Sequence, residues 1–301
     1  MAPIVLFVFK RLDHTLKVIE ALKNCMEAND SILYIYSDAA RTPEEKPVVE
    51  KLRSSLREID GFKKVYLIER ECNRGLAYNI IHGVSEVIKE EGKVIVLEDD
   101  IICSPYFLRY MNDCLDKYKE CKDIFSISAY HPIVKNHKGT NIEVYKNPRN
   151  SSWGWGTWKD RWEKVDWEVL DFKNFIGNKR KRKEFNIGGE DLSWMLWKQM
   201  KGKLDSWSIR FTYAQYKNKA YTIYPVQSLV SNIGFDGSGS HSDVTDKYAV
   251  NLNVDSKKVS LPNKPEVCET LLSEFKTYYD LTFKKKLKKV ILMDLLDGWN
   301  R

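Results

Sequence analysis

The chain has 301 residues, 43% of them hydrophobic and 30% charged, and a formal net charge of +7. This composition excludes a disordered or low-complexity protein and suits one large α/β domain or two smaller ones. No apolar stretch approaches the ~20 residues that span a bilayer, no secretory pattern opens the chain, and six cysteines without a CxxC pair or metal-ligand spacing read as free thiols of a reducing compartment.

Ile4–Phe9 is an apolar run of strand type. His14–Ala28 has helical periodicity, with Leu16, Ile19, Leu22 and Cys25/Met26 on one face. Ser31–Tyr36 is a second strand that ends at Ser37-Asp38, and Pro43–Ile59 is a second helix. A third strand (Lys64–Ile68), a third helix (Gly75–Glu91) and a fourth strand (Lys93–Leu97) follow. This βαβαβαβ order predicts a parallel sheet with helices on both faces. Ser104–Tyr118 reads as a helix with Ser104 as N-cap and Pro105 at its first position, and Ile124–Ser128 as a short strand.

Past residue 130 the elements shorten and Gly and Trp rise. Many of the nine Trp fall between Trp153 and Trp207, a pattern found in ligand pockets and at least as often in cores. Glu190–Lys201 reads as a helix with acids in its first turn, and Tyr213–Lys217 and Tyr221–Pro225 as short strands or strand–loop pieces. Gly234–His241 is a polar, Gly-rich loop of the kind that closes over ligands, or a plain surface turn. The tail from Cys268 to Arg301 reads as largely helical. The expected division is an α/β half (1–130), a loop-rich half of the same domain (131–245) and a C-terminal extension with a basic amphipathic helix (246–301).

Four features carry chemistry. Val94-Ile95-Val96-Leu97 runs into Glu98-Asp99-Asp100, which places three carboxylates at the C-terminal end of a buried strand, where open α/β sheets bind ligands. Adjacent carboxylates repel unless a cation or donors offset them, and a divalent ion holding a diphosphate would do so; a solvated acidic loop is the competing reading. Asp38 ends the second strand at the same sheet edge and could accept from a base N–H, or serve a turn. Asn73-Arg74-Gly75 opens a helix and suits an anion, or is merely solvated. Gly188-Gly189-Glu190-Asp191 sets two acids at a helix start, either as a general base or as N-terminal capping.

Taken together, these segments over roughly residues 3–241 resemble a glycosyltransferase of the GT-A fold, with an order similar to N-acetylglucosaminyltransferases and to bacterial family-two-like transferases. The likeness rests on Phe7-Val8-Phe9-Lys10-Arg11, Tyr36-Ser37-Asp38, Asn73–Ile88, Glu98-Asp99-Asp100, Ser152-Trp153-Gly154-Trp155-Gly156-Thr157-Trp158 and Glu190-Asp191-Leu192-Ser193-Trp194. The acidic motif is EDD rather than DxD, and the chain lacks the membrane anchor of the eukaryotic relatives, so it resembles a bacterial cytoplasmic member.

The resemblance implies a Rossmann-like, mostly parallel sheet flanked by helices, with a loop-rich acceptor half. It implies that Asp100 holds Mn²⁺ or Mg²⁺ on the donor diphosphate, with His241 as a further metal ligand, an imidazole favouring Mn²⁺. Glu98 and Asp99 would contact donor sugar and ribose, Asp38 the nucleobase, and Arg11 and Arg74 the nucleotide. Asp191 would deprotonate the acceptor hydroxyl, with Glu190 as the second choice. The expected activity is metal-dependent, inverting transfer from a nucleotide-sugar, a UDP-sugar favoured, to a glycan or lipid-linked saccharide of a surface polysaccharide. A sugar-phosphate nucleotidyltransferase is the nearest alternative, disfavoured because Lys10-Arg11-Leu12-Asp13-His14 lacks glycine. A non-catalytic protein binding nucleic acid or an anionic surface is the alternative from another class. Lys179–Lys183 and Lys284–Lys289 carry ten positive charges but no interleaved aromatics, which disfavours nucleic acid. The second run, with Leu281, Phe283, Leu287, Val290, Ile291 and Leu295, suits peripheral attachment to an anionic membrane, or a solvated basic face.

Overall fold

The computed structural model describes residues 1–132, 142–237, 245, 248, 250, 252, 254 and 258–296. Along the chain run β1 (Ile4–Val8), α1 (Leu12–Lys23), β2 (Ile32–Ser37), α2 (Lys46–Leu56), β3 (Lys64–Glu69), α3 (Leu76–Glu91), β4 (Lys93–Glu98), β5 (Ile101–Cys103), α4 (Phe107–Lys117) and β6 (Ile124–Ser128). They are followed by β7 (Val144–Asn147), β8 (Trp155–Trp158), α5 (Lys159–Trp162), α6 (Phe172–Ile176), α7 (Lys179–Phe185), α8 (Leu192–Met200), α9 (Trp207–Lys217), β9 (Tyr221–Pro225), β10 (Val230–Asn232), α10 (Glu269–Tyr278) and α11 (Phe283–Lys289). A π-helical stretch, Val290–Leu296, continues α11.

Eight strands form one sheet in the order β3-β2-β1-β4-β8-β6-β9-β7. β2 pairs in parallel with β1 and β3, β1 with β4, and β6 with β9. β8 runs antiparallel between β4 and β6, and β7 antiparallel at the edge beside β9. The fold is therefore α/β, a mostly parallel mixed sheet flanked by helices, and strands from both expected halves share it. A separate ribbon pairs β5 with β10. Strand order reverses between β1 and β4, so the C-terminal ends of these strands border a switch-point crevice.

The continuous apolar runs follow from burial on both faces. In β1, Ile4, Leu6 and Val8 enter one core cluster while Val5 and Phe7 enter another; in β4, Ile95 and Leu97 oppose Val94 and Val96 in the same way. Each such side chain, fully buried, contributes about 1.5–3 kcal/mol. A third cluster, built on Phe175, Phe185, Trp194 and Trp197, lies under the short helices α6 to α9.

Several expectations need correction. Tyr213–Lys217 is the end of helix α9, not a strand. Trp207, Phe211 and Ala214 face one cluster and Ile209 and Tyr213 another, so a helix buried on two sides lacks the polar stripe that marks helical periodicity. The acids Glu190 and Asp191 precede the first turn of α8 rather than occupy it, because Asp191 is its N-cap residue. Ser104 likewise does not cap α4, which starts at Phe107; its Oγ accepts from Tyr106 N at 3.2 Å in a tighter turn. α1 ends at Lys23, and a 3₁₀ turn, Ala28–Asp30, completes the link to β2. The tail is helical as expected through Leu296, and residues beyond it lie outside the described chain.

Candidate functional site

Beyond the C-terminal ends of β1, β2 and β4 opens a cavity of about 360 Å³, within the range of small-molecule sites. The acidic run ends β4 and turns into β5. Ile233 N donates to Asp100 O at 2.9 Å, extending the β5–β10 ribbon and fixing the acidic turn from its outer side. The chain after β10 packs closely here: a Cβ on Gly234 would lie 2.2 Å from Asp100 Oδ2 and 2.8 Å from Arg11 Nη1.

Arg11 follows β1 and supplies the cation of the cluster. Its Nη2 donates to Asp99 Oδ1 and, at 2.9 Å, to Asp100 Oδ2. These side chains keep only 16%, 8% and 14% of their exposure, so the pair is largely desolvated. Burial alone would make Arg11 release its proton more readily, but the two carboxylates outweigh it and hold the guanidinium more firmly charged than usual. Burial, then the charges of Asp100 and Asp99, push the Glu98 carboxyl well above the carboxylate range. Burial also raises the Asp100 carboxyl from its ordinary value, against the opposing pull of Arg11. Asp100 Oδ1 is buried and accepts no hydrogen bond from the described residues. One guanidinium thus leaves three clustered acids under-compensated, and the partnerless oxygen fits a further cation.

Asp38 follows β2 and lines the same cavity. Its Oδ1 accepts from Ala39 N at 2.9 Å and Arg74 N at 3.0 Å, and its Oδ2 from Gly75 N at 3.0 Å. Gly75 has φ +79°, a left-handed value that turns these N–H groups toward the carboxylate at the start of α3. Buried Arg53 donates to Ser37 O, Asp38 O and Arg70 O and clamps the ends of β2 and β3. The donors expected to meet an anion at this helix start are therefore engaged by Asp38. The Arg74 guanidinium lies over the Tyr78 ring, 5.4 Å from its centroid, on an exposed side chain outside the cavity lining.

Of the site residues expected from sequence, Arg11, Asp38, Glu98, Asp99 and Asp100 converge on one cavity. Asp191 does not line it. Arg149 grips Asp191 with Nη1 to Oδ1 at 2.7 Å and Nη2 to Oδ2 at 3.0 Å, while its guanidinium carbon lies 4.0 Å from the Tyr279 ring centroid. Glu190 is exposed, and Lys289 Nζ donates to its carbonyl at 2.9 Å. His241 lies outside the described residues.

Sequence reasoning singled out the segments of Trp153 and Phe235 but missed Tyr248 and Tyr278, and with them the wall between these places. Trp153 and Phe235 line the cavity, and Tyr248 packs on both, with ring centroids 5.5 and 4.6 Å away. Tyr248 also meets Tyr278 at 5.9 Å, and Tyr278 meets Tyr279 at 5.0 Å, so an unbroken aromatic ridge joins the cavity to Arg149 and Asp191. Of the Gly/Trp segment only Trp153 reaches the cavity; Trp155 and Trp158 are core. At the opposite rim, Lys10 and Arg41 share Glu45, whose carboxyl the Arg41 and then the Lys10 hydrogen bonds pull down to about 2.

No family model and no curated protein sequence matches the chain. Among solved structures it is similar to a mannosyltransferase from Pyrobaculum calidifontis in complex with GDP-Man and Mn²⁺ (12% identity, TM-score 0.39, 55% of this chain and 47% of that one). It is similar also to S. aureus TarS in complex with UDP (12%, 0.39, 76% and 59%) and to a cytidylyltransferase from Leptospira borgpetersenii (10%, 0.33, 55% and 63%). The chain spans less than two thirds of the length of each. Likenesses this distant assign no activity.

Proposed function

We propose that the protein is a metal-assisted, inverting glycosyltransferase that uses a nucleotide-sugar, a UDP-sugar first among them. The observation that carries this reading is the cavity at the strand-order reversal, with three acids, one balancing guanidinium and an Asp100 oxygen without a partner among the described residues. Among the described residues no group of three or more His, Cys, Asp or Glu side chains is arranged to hold a metal alone. The donor set suits Mg²⁺ or Mn²⁺ held by Asp100 and Asp99 and completed by substrate phosphates, as such ions are commonly bound. When bound, the metal would neutralise charge on the departing diphosphate.

In the proposed reaction the acceptor hydroxyl oxygen forms a bond to the anomeric carbon from the face opposite the diphosphate. The anomeric carbon–oxygen bond to that diphosphate breaks, and the nucleoside diphosphate leaves with the electron pair. The hydroxyl proton passes to a carboxylate, for which Asp191 is the candidate. Arg149 fixes its orientation, and each oxygen retains a lone pair beyond the one facing Arg149. The acceptor, a glycan or lipid-linked saccharide, would lie along the aromatic ridge, whose faces suit sugar rings.

A donor screen tests the reading. Thermal stability is followed with UDP-, GDP- and dTDP-sugars, with and without Mn²⁺, since a ligand of the native state stabilises by mass action. A metal-dependent shift with one nucleotide class, absent in Asp100→Ala, is expected. With the donor known, Asp191→Asn should lower turnover by roughly 10²–10⁴-fold and Glu190→Gln should not. No shift with any nucleotide-sugar, or pyrophosphate release from a nucleoside triphosphate and a sugar phosphate, would overturn the proposal.

A further inference from the structure

The C-terminal basic segment presents two unlike faces. Toward the protein, Leu281 and Leu292 pack on the third core cluster and Met293, 1% exposed, enters it beside Trp194 and Trp197. Lys289, on the same side, donates to the Glu190 carbonyl. Toward the outside, Phe283 is 81% exposed, Leu287 52%, Val290 47% and Ile291 42%. Their spacing, i, i+4, i+7 and i+8, stacks them into one apolar stripe. Large apolar side chains exposed singly need no explanation; a contiguous stripe does.

The charge around the stripe is predominantly positive. Lys284, Lys285 and Lys288 are exposed and have no carboxylate partner among the described residues; Lys286 is paired with Asp280 at 2.7 Å. The excess reaches the neighbouring helix. Burial first, and then the charges of Lys285 and Lys288, make Lys198 on α8 release its proton more readily than usual. A cationic rim around an apolar stripe complements a surface that is anionic outside and apolar within. A second copy of the chain would present the same positive rim to itself, and nucleic acid would leave the stripe in water.

We propose that the outer face of Phe283–Ile291 docks on an anionic lipid bilayer, with Phe283, Leu287, Val290 and Ile291 in the acyl boundary and Lys284, Lys285 and Lys288 at the headgroups. The segment that carries the docked face is tied to Glu190 by Lys289 on its inner side, which places the segment next to the Glu190–Asp191 pair. The docking does not depend on the catalytic reading, because it uses no residue of the cavity.

Co-flotation of the full chain with phosphatidylcholine vesicles, with and without phosphatidylglycerol, tests it in the absence of nucleotide. Binding is expected only with phosphatidylglycerol and should weaken as salt rises. Lys284→Gln/Lys285→Gln/Lys288→Gln should lose about fivefold in affinity per lysine, the equivalent of about 1 kcal/mol each. Phe283→Ser/Leu287→Ser, at exposed positions that leave the melting temperature unchanged, should lose binding with the charges intact. Equal flotation with and without phosphatidylglycerol, no flotation at all, or flotation untouched by Phe283→Ser/Leu287→Ser would overturn the proposal. So would self-association or DNA binding that the double serine variant abolishes while vesicle binding is absent.

Discussion

Arg11→Ala isolates the electrostatics of the cavity. The guanidinium bonds two carboxylates whose side chains are 8% and 14% exposed, and it faces a third, Glu98, across the same cluster. At an effective dielectric of 20, one charge pair near 4 Å is worth about 4 kcal/mol, and breaking a buried pair by removing one partner costs about 3–5 kcal/mol. The lower end applies here, because the cavity admits water and the uncompensated acids bind protons instead of staying charged. We expect a loss of about 3 kcal/mol at slightly alkaline pH. The sign with pH follows from the carboxyls. Without Arg11 they bind protons more tightly in the folded than in the unfolded chain. The variant therefore gains stability as pH falls, and its deficit closes toward the ordinary carboxylate range near pH 4. Urea unfolding of wild type and variant at alkaline and acidic pH measures this. Added Mn²⁺ should recover part of the alkaline deficit. A deficit below about 1 kcal/mol, or one that does not change with pH, would show that Arg11 is not the counter-charge of the cluster.

Glu98→Gln should stabilise the protein. A carboxyl raised by burial and by Asp100 and Asp99 contributes stability that is present below its unfolded pKa and lost as pH rises through the folded one. The glutamine variant should therefore melt higher than wild type at neutral and alkaline pH and match it in acid, and an equal gain at every pH would refute the cause given. Gly234→Ala would place a methyl 2.2 Å from Asp100 Oδ2 and 3.0 Å from its Cβ. A loss of about 1–3 kcal/mol is expected, together with loss of any donor- or Mn²⁺-dependent shift in melting temperature. A variant with wild-type melting and ligand response would mean that the acidic turn can yield there.

The N-terminal half was readable because its central strands β1 and β4 are buried on both faces and its helices on one, which gives unbroken apolar runs between amphipathic stretches. Val5 against Leu6 and Val94 against Ile95 are the two faces of that rule. The rule fails at α9, whose Phe211 and Tyr213 serve different clusters, and it does not decide at β8, where the Trp cluster left pocket and core both open and Trp155 and Trp158 are core. In the site, residues at consecutive strand ends were readable: Arg11, Asp38 and the three acids lie where a switch point must place them. Which hydrogen bonds they make was not. That Asp38 serves the backbone of Arg74 and Gly75, and that Asp191 is held by Arg149, depend on loops whose approach no periodicity encodes. The ridge of Trp153, Phe235, Tyr248 and Tyr278 gathers residues from distant parts of the chain and carries no local signal.

The strand order also has a kinetic side. β1 to β4 are adjacent in the sheet and made consecutively, so this βαβ unit is available early in synthesis. The strand bearing the acids is its last member, and the edge of β4 is filled not by β6, the next long strand to emerge, but by β8. Until residues 155–158 arrive, β4 offers the nascent chain an open, apolar edge, the arrangement most prone to wrong pairing. Insertion of β8 between β4 and β6 is then the event that seals the sheet, and β9, parallel to β6 and still later in sequence, can dock only after β6 is in place. A ribosome-bound chain released before residue 158 should aggregate, and the full-length chain should not.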